Sequence, residues 1–196
     1  LNLDQQATEK FSFGMQMNVI RTEMERVQND NAFATPLQLV AQSPLTPVYD
    51  PETGELNTET IYYNSLISLR DEDNNQTSFR SLANIYAGYK ILKDLTFKSE
   101  FGTDIYDLRE KNFWGRKTIT GSPAGEAQNR SVRVINYNWE NYLTYIKTLG
   151  VHHINLVGGM SYQQSNSIGS NIVGKGFPTD DFTNIDNAAE VTSYGG

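Results

Sequence analysis

The sequence contains no cysteine, and it has no apolar run of the roughly 18 residues that a membrane helix needs. The first absence excludes a disulfide framework and a thiolate metal site, and the second excludes a transmembrane helix. Basic residues are outnumbered, since 16 Lys and Arg stand against 23 Asp and Glu for a net charge of −7. This balance argues against a nucleic-acid binder and against a polybasic membrane anchor.

The sequence also lacks an initial Met and any basic segment followed by an apolar one. We therefore expect it to start after any signal peptide or within a longer protein. Its mean hydropathy of −0.52 is polar, which a β-barrel tolerates because only half of each strand is apolar. The 11 Tyr, 9 Phe and 2 Trp suit either a sheet protein or an aromatic girdle at a membrane interface.

Five stretches alternate apolar and polar side chains with a period of two residues, which predicts β-strands. In one of them Phe97 and Phe101 share a face, whereas Lys98, Glu100 and Asp104 share the other face. The predicted strands cover residues 10–20, 80–92, 95–108, 131–147 and 151–163.

The connections between these strands are of two lengths. Tight turns are predicted around Lys93 and Gly150, whereas residues 21–79, 109–130 and 164–196 are long polar loops. Short turns at one end and long loops at the other are typical of outer-membrane barrels. We therefore predict an all-β antiparallel meander that forms part of a large transmembrane β-barrel with long extracellular loops. Five strands cannot close a barrel of even strand number, so residues 1–196 are expected to be part of a larger barrel.

Several segments resemble one family. The stretch WENYLTY, which starts at Trp139, resembles the "W-x-N-x-L-x-Y" strand of the TonB-dependent receptors that import glycans in Bacteroidetes. Residues 91–104, 153–163 and 176–182 resemble the neighbouring hairpin, strand and loop, in the family's order and spacing. The chain is thus similar to the SusC/RagA-type TonB-dependent receptors over most of residues 80–185.

The resemblance implies a plugged barrel of about 22 strands in the bacterial outer membrane, in contact with its lipid. It implies import of oligosaccharides or other large nutrients together with a SusD-like surface lipoprotein. Energy would come from the TonB–ExbB–ExbD complex through upstream segments outside this chain, where the plug domain would also lie. A peptide importer of the RagA type is an alternative within the family.

A soluble extracellular β-sandwich that binds glycans is the alternative outside the family. It would bury the same apolar faces against a second sheet. Long strands and asymmetric loops favour the barrel, because sandwiches have shorter strands and loops at both ends. An enzyme is not expected, since neither of the two histidines, His152 and His153, has a convincing catalytic partner. These two side chains point to opposite faces of a strand, so they cannot chelate one metal together.

Four aromatic residues fall in the predicted extracellular loops, where exposed rings could stack on the apolar faces of sugars. An alternative is that these rings pack the loops or contact the partner lipoprotein. The predicted substrate-binding aromatics are Tyr62, Tyr63, Phe113 and Trp114.

Four charged residues lie on the polar faces of the predicted strands. Regular charges on one face of a long strand suit a hydrated lumen. The predicted lumen-facing residues are Lys98, Glu100, Asp104 and Glu140.

The segment that begins at Asp71 starts like an EF-hand loop but departs from it twice. Gln76 stands where glycine is needed, and Leu82 stands where a bidentate Glu is needed. A second acidic cluster comprises Asp180, Asp181 and Asp186. We expect both clusters to be solvated loops, with surface calcium as the alternative, and we predict no other metal or cofactor.

Overall fold

The computed structural model describes residues 1–26, 40–62 and 64–196. Within them the chain forms one seven-stranded antiparallel sheet whose strands follow in chain order. The strands are β1 (Asn2–Gln6), β2 (Phe11–Glu25), β3 (Glu72–Leu92), β4 (Leu95–Trp114), β5 (Glu126–Leu149), β6 (His152–Lys175) and β7 (Glu190–Gly195). The prediction of an all-β meander is confirmed.

Helical structure is limited in this part of the chain. Helix α1 (Ser65–Asp71) leads directly into β3, and a single 3-10 turn spans Ile185–Asn187. None of the described helices is both long enough and apolar enough to cross a bilayer.

The five predicted strands correspond to β2–β6, but their predicted ends are wrong. β3 begins at Glu72 rather than at residue 80, β4 continues to Trp114, and β6 continues to Lys175. In these extensions the regular alternation breaks down, since Phe113 and Trp114 are adjacent at the end of β4 and Ile172 and Val173 are adjacent near the end of β6. Ladder hydrogen bonds between neighbouring strands join backbone groups and continue regardless of side-chain polarity. The predicted loops are correspondingly too long.

The sequence prediction missed the two outermost strands. β1 is antiparallel to β2, with Asp4 opposite Gly14. β7 is antiparallel to β6, with Lys175 opposite Glu190. Each is five or six residues long and lacks a period-two pattern, since β1 has one apolar residue, Leu3, and Val191 and Tyr194 of β7 are three positions apart.

The tight turns occur where the sequence placed them. β3 and β4 are joined by Lys93 and Asp94, and β5 and β6 are joined by Gly150 and Val151. Gly150 has a φ of +60°, a left-handed conformation that glycine adopts without the clash that a Cβ brings.

The chain divides into two compact units that we describe separately. The first, here called the strand unit, comprises Leu1–Arg21, Ser78–Asp107 and Val132–Ile168. The second, here called the loop unit, comprises Thr22–Thr77, Leu108–Ser131 and Gly169–Gly196.

A small apolar core lies in the loop unit. Phe113 and Phe177 are each 4% exposed and meet edge to face, with ring centroids 5.2 Å apart. Ala127 is 1% exposed in the same cluster, and Ile185 and Ala188 pack against it. The core therefore joins β4 and β5 to the segment between β6 and β7.

Helix α1 is anchored by its N-cap residue. The Asn64 side chain accepts a hydrogen bond from the Leu66 amide and donates to the carbonyls of Val48 and Asn57. Ile67, in the first turn of the helix, is completely buried. One carboxamide thus holds both the helix and the loop beside it.

We predict that Gly150→Ala lowers the free energy of unfolding of the intact protein by about 1 kcal/mol, because an alanine is disfavoured at a positive φ. Gly158→Ala is the matched control: a Cβ built at either glycine meets nothing within 4 Å, but only Gly150 has a positive φ. Urea titration in detergent measures both. Equal effects of the two substitutions would contradict the backbone explanation.

Candidate functional site

Polar side chains from six neighbouring strands share one concave face of the strand unit. They enclose an open cavity of about 780 Å³ between β1 and β6. Carboxamides dominate its lining, and such groups offer both hydrogen-bond donors and acceptors without net charge. The lining carboxamides include Gln16, Asn18, Asn84, Asn136, Asn138 and Gln163.

The charges on this face are paired with one another. The Lys98 ammonium lies 3.0 Å from a carboxylate oxygen of Glu100 and 4.5 Å from the centroid of the Tyr86 ring. Asn84 donates a hydrogen bond to Glu100, and the Tyr86 hydroxyl donates to Asp4 at 2.6 Å. The five residues form a network across β1, β3 and β4.

A second pair on the same face involves Asp104. Arg80 donates to both oxygens of this carboxylate, at 2.9 and 2.8 Å. On β5, Glu140 accepts a hydrogen bond of 3.4 Å from Asn138, which also lines the cavity. The structure thus brings the four predicted lumen-facing residues to one face, and their contact with a lumen stays a prediction.

The opposite face of the strand unit is apolar and uncovered by any described residue. Its aromatic rings form a row, with the Tyr137 ring 6.3 Å from Phe101 and 6.2 Å from Tyr162. The Trp139 indole donates to the Ser99 hydroxyl at 3.0 Å. Exposed large side chains on this face include Phe13, Met17, Ile85, Tyr89, Ile135, Leu143, Leu156 and Met160. Soluble monomers rarely expose an apolar face of this extent.

Ion pairs lie at both ends of this apolar face. At one end Arg133 donates to Asp107 at 2.8 and 2.6 Å. At the other end Lys147 donates to Asp94, beside the β3–β4 turn. Between them, every second side chain of β5 from Ile135 to Tyr145 is apolar except Asn141. The apolar face is therefore a band with charged margins.

Two of the loop aromatics predicted to bind substrate are buried. Phe113 is in the apolar core, and Trp114 is also buried, so the expectation that these two rings are exposed is wrong. Tyr62 is half-buried, and its carbonyl accepts hydrogen bonds from Gln42 and Thr60. Tyr63 lies outside the described residues.

Sequence analysis missed a buried carboxylate in the loop unit. The Glu110 side chain is 9% exposed and lies 2.7 Å from Arg26 and 3.3 Å from Arg130. Arg26 also donates to Gln76 at 2.9 Å. The cluster was missed because the predicted strand ended at residue 108, which assigned Glu110 to a loop. The available signal was that Glu110 has an even number, as do Lys98, Glu100 and Asp104, and side chains an even number of positions apart lie on the same face of a strand.

The two acidic segments singled out in the sequence line one pocket of about 290 Å³ in the loop unit. Arg70 donates to Asp71, and Arg116 donates to Asp180. Burial raises the pKa of the Glu72 carboxyl, against hydrogen bonds from Ser68 and Asn74 that lower it. Among the described residues no group of three or more His, Cys, Asp or Glu could hold a metal ion. Solvation of both acidic clusters stays a prediction, with loop calcium as its alternative.

We predict that Glu110→Gln destabilises the intact protein by about 1–3 kcal/mol, because it leaves two arginines without their shared counter-charge. The cost stays below that of a fully buried pair, since both arginines are partly exposed. Glu55→Gln is the control: Glu55 also faces two cations, Arg70 and Lys117, but at the exposed surface, and we expect a nearly unchanged urea midpoint. An equal midpoint shift for both variants would contradict a special role of burial.

No protein-family model matches the sequence. A curated relative, TonB-dependent receptor P3 of Formosa agariphila, is 28% identical over 155 residues. That alignment covers 72% of this chain and 15% of the relative, so the chain is far shorter than the receptor it matches.

Solved structures share the fold. The structure of the RagAB peptide transporter matches 98% of this chain with a TM-score of 0.75 at 16% identity. The RagAB peptide importer in its "open-open" state matches the whole chain with the same TM-score and identity. The chain spans 24% and 23% of these two structures, respectively. The chain is therefore similar in sequence to a TonB-dependent receptor and similar in fold to the RagAB structures, in line with the resemblance to the SusC/RagA-type receptors.

Proposed function

We propose that the chain is a wall segment of a TonB-dependent importer in the bacterial outer membrane, one that carries oligosaccharides or other large nutrients. The observation that carries the proposal is the contrast between the two faces of the strand unit. One face is concave, polar and internally charge-paired, whereas the other is an exposed apolar band with charged margins.

The height of the band supports a position in the membrane. Ten residue steps separate Ile135 from Tyr145, and a strand rises about 3.4 Å per residue, or roughly 34 Å in all. At a tilt of about 40° this gives a height of about 25 Å, the height of the apolar band of a transmembrane barrel. The apolar side chains would face lipid, and the backbone groups would all be paired within the closed sheet.

The concave face would then line the aqueous interior. Its carboxamides can exchange hydrogen bonds with water or a passing solute, and its charges are already neutralised by neighbours. A wall of carboxamides and paired charges offers a polar path and does not create a strong electrostatic potential of one sign. The four charged residues Lys98, Glu100, Asp104 and Glu140 would serve as interior charges rather than as an acid–base pair.

Partners of the intact protein follow from the relatives. A surface lipoprotein of the SusD type would be its partner, as the family resemblance implies, and the description of RagAB as a peptide transporter keeps a peptide cargo as the alternative. A TonB–ExbB–ExbD complex would act through segments outside this chain. The relatives are receptors and transporters, which supports a function other than catalysis.

The soluble β-sandwich is the second candidate function. It would require a second sheet against the apolar face, and within the described residues every strand belongs to the same sheet. The sandwich is therefore the weaker hypothesis.

We predict that Met160→Arg impairs insertion of the intact protein into lipid vesicles, with a cost of about 2–4 kcal/mol near the centre of the band. Met160 is 68% exposed on the apolar face. Ser161→Arg is the control, because the next residue of β6 points to the opposite face. Urea-dependent folding into vesicles measures both variants. If both variants fold into vesicles equally well, the assignment of Met160 to the lipid-facing side of the sheet is contradicted.

Transport is tested in cells that carry or lack the gene for the intact protein. We expect uptake of a fluorescent oligosaccharide library to fall on deletion, and to fall equally when TonB is inactivated. A matched peptide library separates the two cargo classes. Loss of peptide uptake alone would replace the oligosaccharide proposal by the peptide alternative, and unchanged uptake of both would contradict an importer.

A further inference from the structure

A second, smaller cavity lies in the loop unit. It has a volume of about 170 Å³ and is bounded by β3, β4, β5 and the segment between β6 and β7. Phe113 and Ile185 line it, and both belong to the apolar core or pack against it. The apolar part of its wall is therefore held in place before any ligand arrives.

The polar groups around this cavity retain free hydrogen-bonding capacity. Lys111, Asn129 and Asn184 line it, and their side chains have no hydrogen bond or ion pair with any described residue. Asn184 stands at the N-cap of the 3-10 turn but makes no capping bond with its side chain. The carboxylate of Asp73 accepts a hydrogen bond from Asn75 and has capacity for more.

This combination of groups fits a polyhydroxylated ring. A sugar hydroxyl both donates and accepts, and the cavity offers an ammonium donor, a carboxylate acceptor and two carboxamides that do both. The C–H face of a sugar ring suits the apolar wall beside Phe113 and Ile185. An anion is a poorer fit, because Asp73 balances the charge of Lys111.

The cavity lies on one face of the strands of the loop unit. Asp73, Lys111 and Asn129 carry odd numbers on β3, β4 and β5, as do Phe113 and Ala127 of the core. Glu110 and Arg130 alternate with them and lie on the other strand face. A ligand in this cavity would therefore not contact the Glu110 cluster.

We propose that the cavity bounded by Asp73, Lys111, Asn129 and Asn184 binds one saccharide unit. The saccharide belongs either to a free oligosaccharide or to the carbohydrate headgroup of an outer-leaflet glycolipid. The glycolipid source rests on the proposed outer-membrane location, whereas the free oligosaccharide does not. Because the cavity holds one ring, we expect dissociation constants on the order of millimolar.

The test uses the intact receptor in detergent, with saturation-transfer NMR against a panel of neutral oligosaccharides and, separately, against lipopolysaccharide micelles. Asn129→Ala and Asn184→Ala are each expected to weaken binding about fivefold, the effect of one lost hydrogen bond. Asn187→Ala is the matched control, since Asn187 lies in the same 3-10 turn but does not line the cavity. Transport is measured in parallel, so that failure of the importer hypothesis can be distinguished from failure of the saccharide-binding proposal.

Each outcome decides the proposal. Saturable binding of oligosaccharides or lipopolysaccharide that is weakened by both cavity variants and not by Asn187→Ala supports it, and the panel that binds identifies the source. Absence of saturable binding in both panels overturns it. Binding that all three variants leave unchanged, or weaken equally, also overturns it, because the sugar would then lie elsewhere.

Discussion

The backbone hydrogen-bond ladder between consecutive antiparallel strands is the constraint on which the rest of this structure depends. It fixes each strand beside its sequence neighbour from β1 to β7, and it fixes which side chains meet across strands. Because successive side chains of a strand point to opposite faces, the ladder sorts the chain into a carboxamide-rich face and an apolar face. Neither face depends on a buried core.

The strand unit is unusual in how little apolar surface it buries. The buried apolar residues of the described chain are few, and Phe113, Ala127 and Phe177 form one cluster in the loop unit. Large side chains such as Met160 and Leu156 stay exposed. A sheet with this distribution needs an apolar environment on one side, which a bilayer supplies in the function that we propose.

Pairing lowers the free-energy cost of removing the charged groups on the concave face and in the loop unit from water. On the concave face, Lys98 and Glu100 neutralise each other, as do Arg80 and Asp104. In the loop unit, Glu110 is shared by two arginines. Burying a carboxylate without such partners would be strongly unfavourable. The net negative charge of the chain therefore resides mainly in groups that are solvated or paired.

The sequence alone determined the five longest strands, the tight turns and the two faces, because period-two alternation is a local property of the chain. It predicted that Lys98, Glu100, Asp104 and Glu140 share one face. It did not predict the strand ends, β1 or β7, because ladder bonds continue through segments whose side chains do not alternate between apolar and polar.

Only the tertiary structure decided whether the loop aromatics are buried and which residues pair with the charges beside them. Phe113 carries the same local pattern whether its ring is exposed or packed, and its burial depends on Phe177, which is 64 positions later in the sequence. The contact between Glu110 and Arg26 spans 84 positions, and the small cavity beside Asn184 requires three strands and a loop. Such contacts depend on which distant segments meet in space, and a local pattern carries no information about that.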